Sequence, residues 1–223
     1  MNVLAIDTAG PVASVAWVGE HGEHQVERRG VRNADSWLMP QISEFLKQPV
    51  DAIAVSIGPG AFTSLRVGVA MALGIAESRH LPVFPISSLM ARAALISSSR
   101  TLALLDARKQ RLYGQLFDTS EALPKPLTDA TDSDLVELLP QKKCIAIGEG
   151  ALVYADSLPP HIRLATGADR GAALSVAKLA RLGAVQACDA AEIQLHYIRP
   201  PDAVPPKSLG VPVGTPAGGD YGI

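Results

Sequence analysis

Of the 223 residues, 48% are hydrophobic and 19% charged, a balance that lets the chain bury one large core or two small ones and excludes a disordered or fibrous protein. The net charge of −2 provides no global basic field, which excludes a stand-alone nucleic-acid binder; contact with RNA would need a local patch or a partner. Cys144 and Cys188 lie far apart without metal-ligand spacing, which fits reduced thiols in a cytoplasm.

The chain opens with Met1-Asn-Val-Leu-Ala-Ile-Asp7, which lacks a basic leader and meets a carboxylate at once, so it reads as a strand rather than a signal peptide. No apolar run approaches the roughly 20 residues of a membrane span, and a cytoplasmic protein is expected. Val3 to Ile6, the turn-rich Asp7-Thr-Ala-Gly-Pro11 and Val12 to Val18 predict a hairpin, to which His24 to Arg29 adds a third strand. From Asp35 to Gln48, Leu38, Ile42, Phe45 and Leu46 have the spacing of an amphipathic helix, with Asp35 as N-cap and Pro40 as a source of kinking. Asp51 to Ile57 predicts a buried strand, Gly58-Pro-Gly60 a turn and Phe62 to Ser78 a helix. Pro82 to Ile86 then reads as a strand and Ser88 to Ser97 as a helix.

A second unit begins near Thr101. Thr101 to Leu105 and Arg111 to Phe117 predict strands around Asp106-Ala-Arg-Lys-Gln110, and Asp132 to Leu139 a short helix. Lys143 to Ile147 predicts a strand ending in Gly148-Glu-Gly150, and Gly171 to Val185 an alanine-rich helix that closes the unit. The expectation is an α/β protein of two units, 1–99 and 100–200, each a mixed sheet flanked by helices, with the second reduced. The proline- and glycine-rich residues 201–223 are expected to form a flexible tail.

The stretch Gly58 to Gly68, GPGAFTSLRVG, joins a permissive loop to a helix start, the arrangement of a phosphate cradle. It lacks the Lys-Ser/Thr ending of a P-loop and is not G-x-G-x-x-G. Asp7 and Asp106 each end the first strand of a unit. Facing each other across a cleft they would suit ATP and magnesium, whereas an aspartate before a turn also serves as a local cap. Asp7, Gly58, Gly60 and Asp106 are therefore the nucleotide-facing candidates. The histidines, His21, His24, His80, His161 and His196, are dispersed, and neither a metal site nor a nucleophile elbow is predicted. In the helix after the loop, Ser64, Gly68, Ala72 and Ala76 make a small-residue stripe and Leu65, Val69 and Leu73 a bulky one. A helix apolar on both faces needs a neighbour besides the sheet, either the Asp35 to Gln48 helix, another protein chain, or both.

LAIDTAGPVASVAW at the start, SIGPGAFTSLRVGVAMALGIA in the middle, LLDARKQRLYGQLF at the unit boundary and HYIRPPDAVPPK near the end resemble the TsaB (YeaZ) family. That family belongs to the ASKHA superfamily, the fold of actin, Hsp70 and sugar kinases; Asp118 to Ala190 matches weakly. The resemblance implies a non-catalytic paralogue of TsaD, required for the threonylcarbamoyl-adenosine modification of tRNA. Its implied partners are TsaD and the ATPase TsaE, with a homodimer when TsaD is absent and tRNA touched only indirectly. It implies no cofactor on the isolated chain, ATP, ADP and metal entering only through the complex.

Where TsaD carries Asn-His-Leu-Glu-Ala-His, whose two histidines bind the catalytic metal, this chain has Ser87-Ser88-Leu89-Met90-Ala91-Arg92. Ser88 and Arg92 stand at the histidine positions and neither suits that metal, so the site is expected to be empty, which also counts against a peptidase. Two departures concern Ser64, where the family usually carries glycine, and Ala34-Asp35, where it often carries His-Ser or His-Thr. The first preserves close packing; the second weakens any chemistry near the first helix. Trp37, Leu38, Leu65, Gly68, Val69, Ala72 and Leu73 are the expected docking residues. The rival reading is an ASKHA-type phosphotransferase or ATPase that uses Asp7, Asp106 and the GPG loop.

Overall fold

A computed structural model describes residues 1–30 and 34–199, without the side chains of Ala34 and Asp35; the Asp35 cap and the 201–223 tail expected above lie outside what it describes. The first sheet is built from β1 (Val3–Asp7), β2 (Val12–Gly19), β3 (Gly22–Arg29), β4 (Ala52–Gly58) and β5 (Val83–Ser87), in the order β3-β2-β1-β4-β5. β1, β2 and β3 are antiparallel neighbours, whereas β4 and β5 run parallel to β1 through helical crossovers. Helices α1 (Ala34–Phe45) and α2 (Phe62–Arg79) cover one face.

Period-two alternation decides what each face buries. Leu4 and Ile6 of β1 point to the α1/α2 side with Val15, Leu38, Ile42 and Val69, while Val3 and Ala5 point to the other. That other face is lined by small residues, Ala5, Ala16, Ala52 and Ala54, so an alanine-rich helix can approach closely. The helix that does so is α6 (Ala173–Arg181), through Ala173, Val176, Ala177 and Ala180. Covered on both faces, β2 is buried along its whole length.

The second sheet contains β6 (Thr101–Arg108), β7 (Arg111–Asp118), β8 (Lys125–Pro126), β9 (Thr131–Ser133), β10 (Cys144–Ile147) and β11 (Ile162–Leu164). Its order is β11-β10-β6-β7-β8, with β9 also on β7. β6 pairs antiparallel with β7 and parallel with β10, as β1 pairs with β2 and β4, so the second sheet repeats the first in reduced form. The protein is thus built from two mixed α/β units, the second reduced, as expected.

Several elements differ from expectation. The helix after β5, α3 (Ser88–Ala93), is capped by Ser87 Oγ, which accepts from Met90 N at 3.4 Å, and ends in a turn before the serine run rather than reaching Ser97. The segment expected as one helix over Asp132 to Leu139 splits into β9 and α4 (Leu135–Leu138), because the Asp134 side chain accepts Glu137 N at 3.1 Å and starts the helix there. Gly148-Glu-Gly150, read as the end of a strand, opens α5 (Glu149–Val153). The largest correction concerns α6, which packs on the first sheet instead of closing the second unit. The reason lies at its N-terminus, where Gly171, Ala172, Ala173 and Leu174 N–H groups donate to side chains of the first sheet. Glu27 Oε2, Asp7 Oδ2, Ser14 Oγ and Gln25 Oε1 accept them at 2.9, 3.2, 3.0 and 2.7 Å, satisfying the donors a helix start leaves open.

Candidate functional site

A cavity of about 600 Å³ lies between the two units. The turn Ala9-Gly-Pro11 and the start of α2 wall it on one side, the end of β6 and α5 on the other, and Tyr197 and Arg199 complete the lining. Of the four nucleotide-facing candidates, Gly60 and Asp106 line this cavity and Asp7 and Gly58 do not.

Asp7 is wholly buried. Its Oδ1 accepts from Arg92 Nη1 at 2.9 Å and Ala9 N at 3.3 Å; its Oδ2 faces Arg92 Nη2 at 2.9 Å and accepts Ala172 N at 3.2 Å. These four partners match the acceptor capacity of a carboxylate, which leaves Asp7 no lone pair for a water or a cation. Burial alone would raise its pKa, but the Arg92 guanidinium, together with hydrogen bonding, holds the carboxyl below its ordinary value. Asp7 is thus a structural hub that ties α3 and the start of α6 to β1, not a cleft residue.

Arg92, expected only as an unsuitable metal ligand, is 3% exposed and held by that carboxylate. Burial opposes its charge, yet attraction to Asp7 and then to Glu149 keeps its pKa above the ordinary value. The fixed positive charge near the end of β1 therefore belongs to the chain itself.

Asp106 occupies in the second sheet the place Asp7 has in the first. Each carboxylate accepts the N–H two residues on, Ala9 at 3.3 Å and Arg108 at 2.8 Å, forming the same local turn. Asp106 has no buried arginine; it pairs at 3.2 Å with the exposed Arg108. The carboxylate across the cavity from the start of α2 is Glu149, which sequence reasoning missed. It lies against Gly10, where an added Cβ would meet the Glu149 carboxylate at 3.0–3.1 Å. Burial pushes the Glu149 carboxyl up to about 7, against the attraction of Arg92, and the negative Asp7 and Asp106 add to the rise. Its signal was present in the sequence, since Gly148-Glu-Gly150 follows β10 as Gly58-Pro-Gly60 follows β4.

Gly58 has φ +119°, and its Cα faces the His196 carbonyl, so it seats another segment of the chain rather than a phosphate. Gly60 presses against Ala9 at the edge of the cavity.

The docking candidates also need correction. Leu38, Leu65, Gly68, Val69 and Ala72 are buried inside the chain, and Trp37 and Leu73 are half-buried. The two stripes expected on opposite faces of α2 merge, because Leu65, Gly68, Val69, Ala72 and Ala76 fall at i, i+3, i+4, i+7 and i+11 and all meet the sheet. Gly68 packs against the Thr8 side chain, whose hydroxyl donates to Ser64 O at 2.7 Å. Facing outward instead are Thr63, Arg66, Ala70 and Gly74, flanked by half-buried Val67 and Met71; Met39 of α1 is 46% exposed. Among the described residues, no group of three or more His, Cys, Asp or Glu side chains could hold a metal ion, and no helix is long and apolar enough to cross a membrane.

A family profile described as TsaD, tRNA N6-adenosine threonylcarbamoyltransferase, matches residues 30–139. The tRNA threonylcarbamoyladenosine biosynthesis protein TsaB of Haemophilus influenzae is 28% identical, over 89% of this chain and 94% of that protein. TsaB of Escherichia coli is 30% identical over 54% of this chain and 57% of its own length. In fold, YeaZ from Pseudomonas aeruginosa superposes with a TM-score of 0.79 at 22% identity, covering 88% of this chain and 99% of that one. The chain is thus similar to a TsaB protein along nearly the whole of that relative and shares the fold of YeaZ.

Proposed function

We propose that this chain serves tRNA threonylcarbamoyladenosine biosynthesis as a non-catalytic subunit that binds TsaD and works with TsaE. The observation that carries the reading is the 28% identity to a TsaB protein over 94% of that protein's length. The side-chain arrangement supports the non-catalytic part, since Asp7, the carboxylate expected to face a nucleotide, spends its acceptor capacity on Arg92, Ala9 and Ala172. The outward stripe of α2, apolar or small at Val67, Ala70, Met71 and Gly74, is the surface on which TsaD would dock, and a second copy would dock there in its absence.

Reconstitution of the tRNA modification from purified components, with and without this chain, tests the role. The reading requires that modification depend on the chain and that light scattering show a mass shift with the cognate TsaD. Tight binding of ATP and magnesium by the isolated chain, with turnover, would replace it by the phosphotransferase reading.

A further inference from the structure

Beyond α6 the chain runs back across both units. Cys188 exchanges two backbone hydrogen bonds with Val83 of the first sheet, each 3.0 Å. His196 N–H donates to Ile57 O at 2.8 Å, and the His196 carbonyl lies so close over Gly58 that a Cβ there would collide with it. The Tyr197 ring sits 5.0 Å from that of Phe62, and its hydroxyl accepts from Arg66 Nε at 3.2 Å. Arg66 in turn lies 3.8 Å over the Phe62 ring. Two residues later the attachments change unit. Arg199 Nη2 donates to Ala107 O at 2.6 Å, and its Nη1 lies 3.5 Å from Asp132, a carboxylate that Arg111 Nε also holds at 2.6 Å.

We infer that Cys188–Arg199 is an interdomain clasp that sets the separation of the cleft walls, with Tyr197 as its anchor on α2 and Arg199 as its anchor on the second sheet. Two packed units joined by ordinary linkers rotate about their hinge unless something spans the open side. The backbone between the two anchors covers two residues, at most about 7 Å, so the walls cannot part further without breaking one of them. Tyr197 and Arg199 also line the cavity, so the clasp is itself one of its walls. Arg199 is the stronger anchor, because its guanidinium makes a charge-assisted bond to a backbone carbonyl and an ion pair to a carboxylate that is only 10% exposed. This inference is independent of the partners proposed above.

The test uses the full chain with Cys144 and Cys188 replaced by alanine and spin labels placed at Thr63 and Val153, exposed positions on opposite walls. Pulsed electron resonance should return one narrow distance for this parent. In Arg199→Ala the distribution should broaden and move to longer distances while circular dichroism is unchanged, and amide exchange at His196, whose N–H donates to Ile57 O, should quicken about tenfold or more. Asp132→Asn loosens the same anchor from the other side, should broaden the distribution likewise, and decides the matter if Arg199→Ala does not fold. An unchanged distance distribution in the folded variants overturns the clasp, as does a parent distribution that is already broad.

Discussion

Arg92 reaches both oxygens of Asp7, 2.9 Å on each side, in a site where the two side chains are 3% and 0% exposed. A buried pair of this kind is held by mutual attraction that must offset the desolvation of both ions, so removal of one partner leaves a charge with nothing to balance it.

Arg92→Ala should therefore lower stability by about 3–5 kcal/mol in urea titration. The pH dependence follows from the sign of the Asp7 shift. Its folded pKa lies below the unfolded one, so its contribution is complete above the ordinary carboxylate range and disappears as pH falls through the folded value. Asp7→Asn should remove that part of the acid-unfolding slope, and a variant with the same acid limb as the parent would contradict the account.

Glu149 has the opposite sign. With a folded pKa of about 7 against an ordinary 4.5, the folded state binds the proton more tightly, so stability should fall as pH rises from about 4.5 to 7. The loss is on the order of 3 kcal/mol for a shift of this size. Glu149→Gln keeps the shape and cannot ionise, so its melting temperature should exceed that of the parent at pH 8 and match it near pH 4.5. Carbon-detected titration of the Glu149 carboxyl gives a direct check.

Two glycines separate backbone need from packing. Gly58→Ala should destabilise by roughly 2–3 kcal/mol, since φ +119° is foreign to alanine and the new methyl would meet the His196 carbonyl. Gly74→Ala lies on the open side of α2 with nothing within 4 Å of its Cβ, and should stabilise by about 0.5–1 kcal/mol. Chemical denaturation of the two variants should move midpoints in opposite directions.

The two sides of α2 should likewise behave differently. Ala70→Glu, on the outward stripe and exposed, should change stability by no more than about 0.5 kcal/mol and abolish the mass shift with TsaD. Leu65→Ala, fully buried against the sheet, should lose about 2–5 kcal/mol through cavity formation. Retained binding by a folded Ala70→Glu chain would remove the outward stripe as the docking surface.

Much of this protein was legible from local pattern. Strands such as Val3 to Ile6 and the helix from Phe62 announce themselves because a short continuous apolar run and the Gly-Pro-Gly turn act within a few residues. The hairpin-and-crossover order points to two α/β units, and Asp7 and Asp106 stand out as equivalent strand ends. What local pattern could not say is which groups meet across distance. Asp7 and Arg92 are 85 residues apart and Asp7 and Ala172 are 165 apart, so the choice between a cleft carboxylate and a buried hub rests on contacts that no spacing encodes. The same holds for α6, whose alanine face fits any small-residue surface until four side chains of the first sheet take up its free N–H groups. Composition and periodicity thus determined the elements and their doubling, because those follow from short-range sterics and burial. Only the tertiary structure decided which charges are spent internally, which side of α2 faces outward and which carboxylate borders the cleft, because each depends on partners brought together by packing.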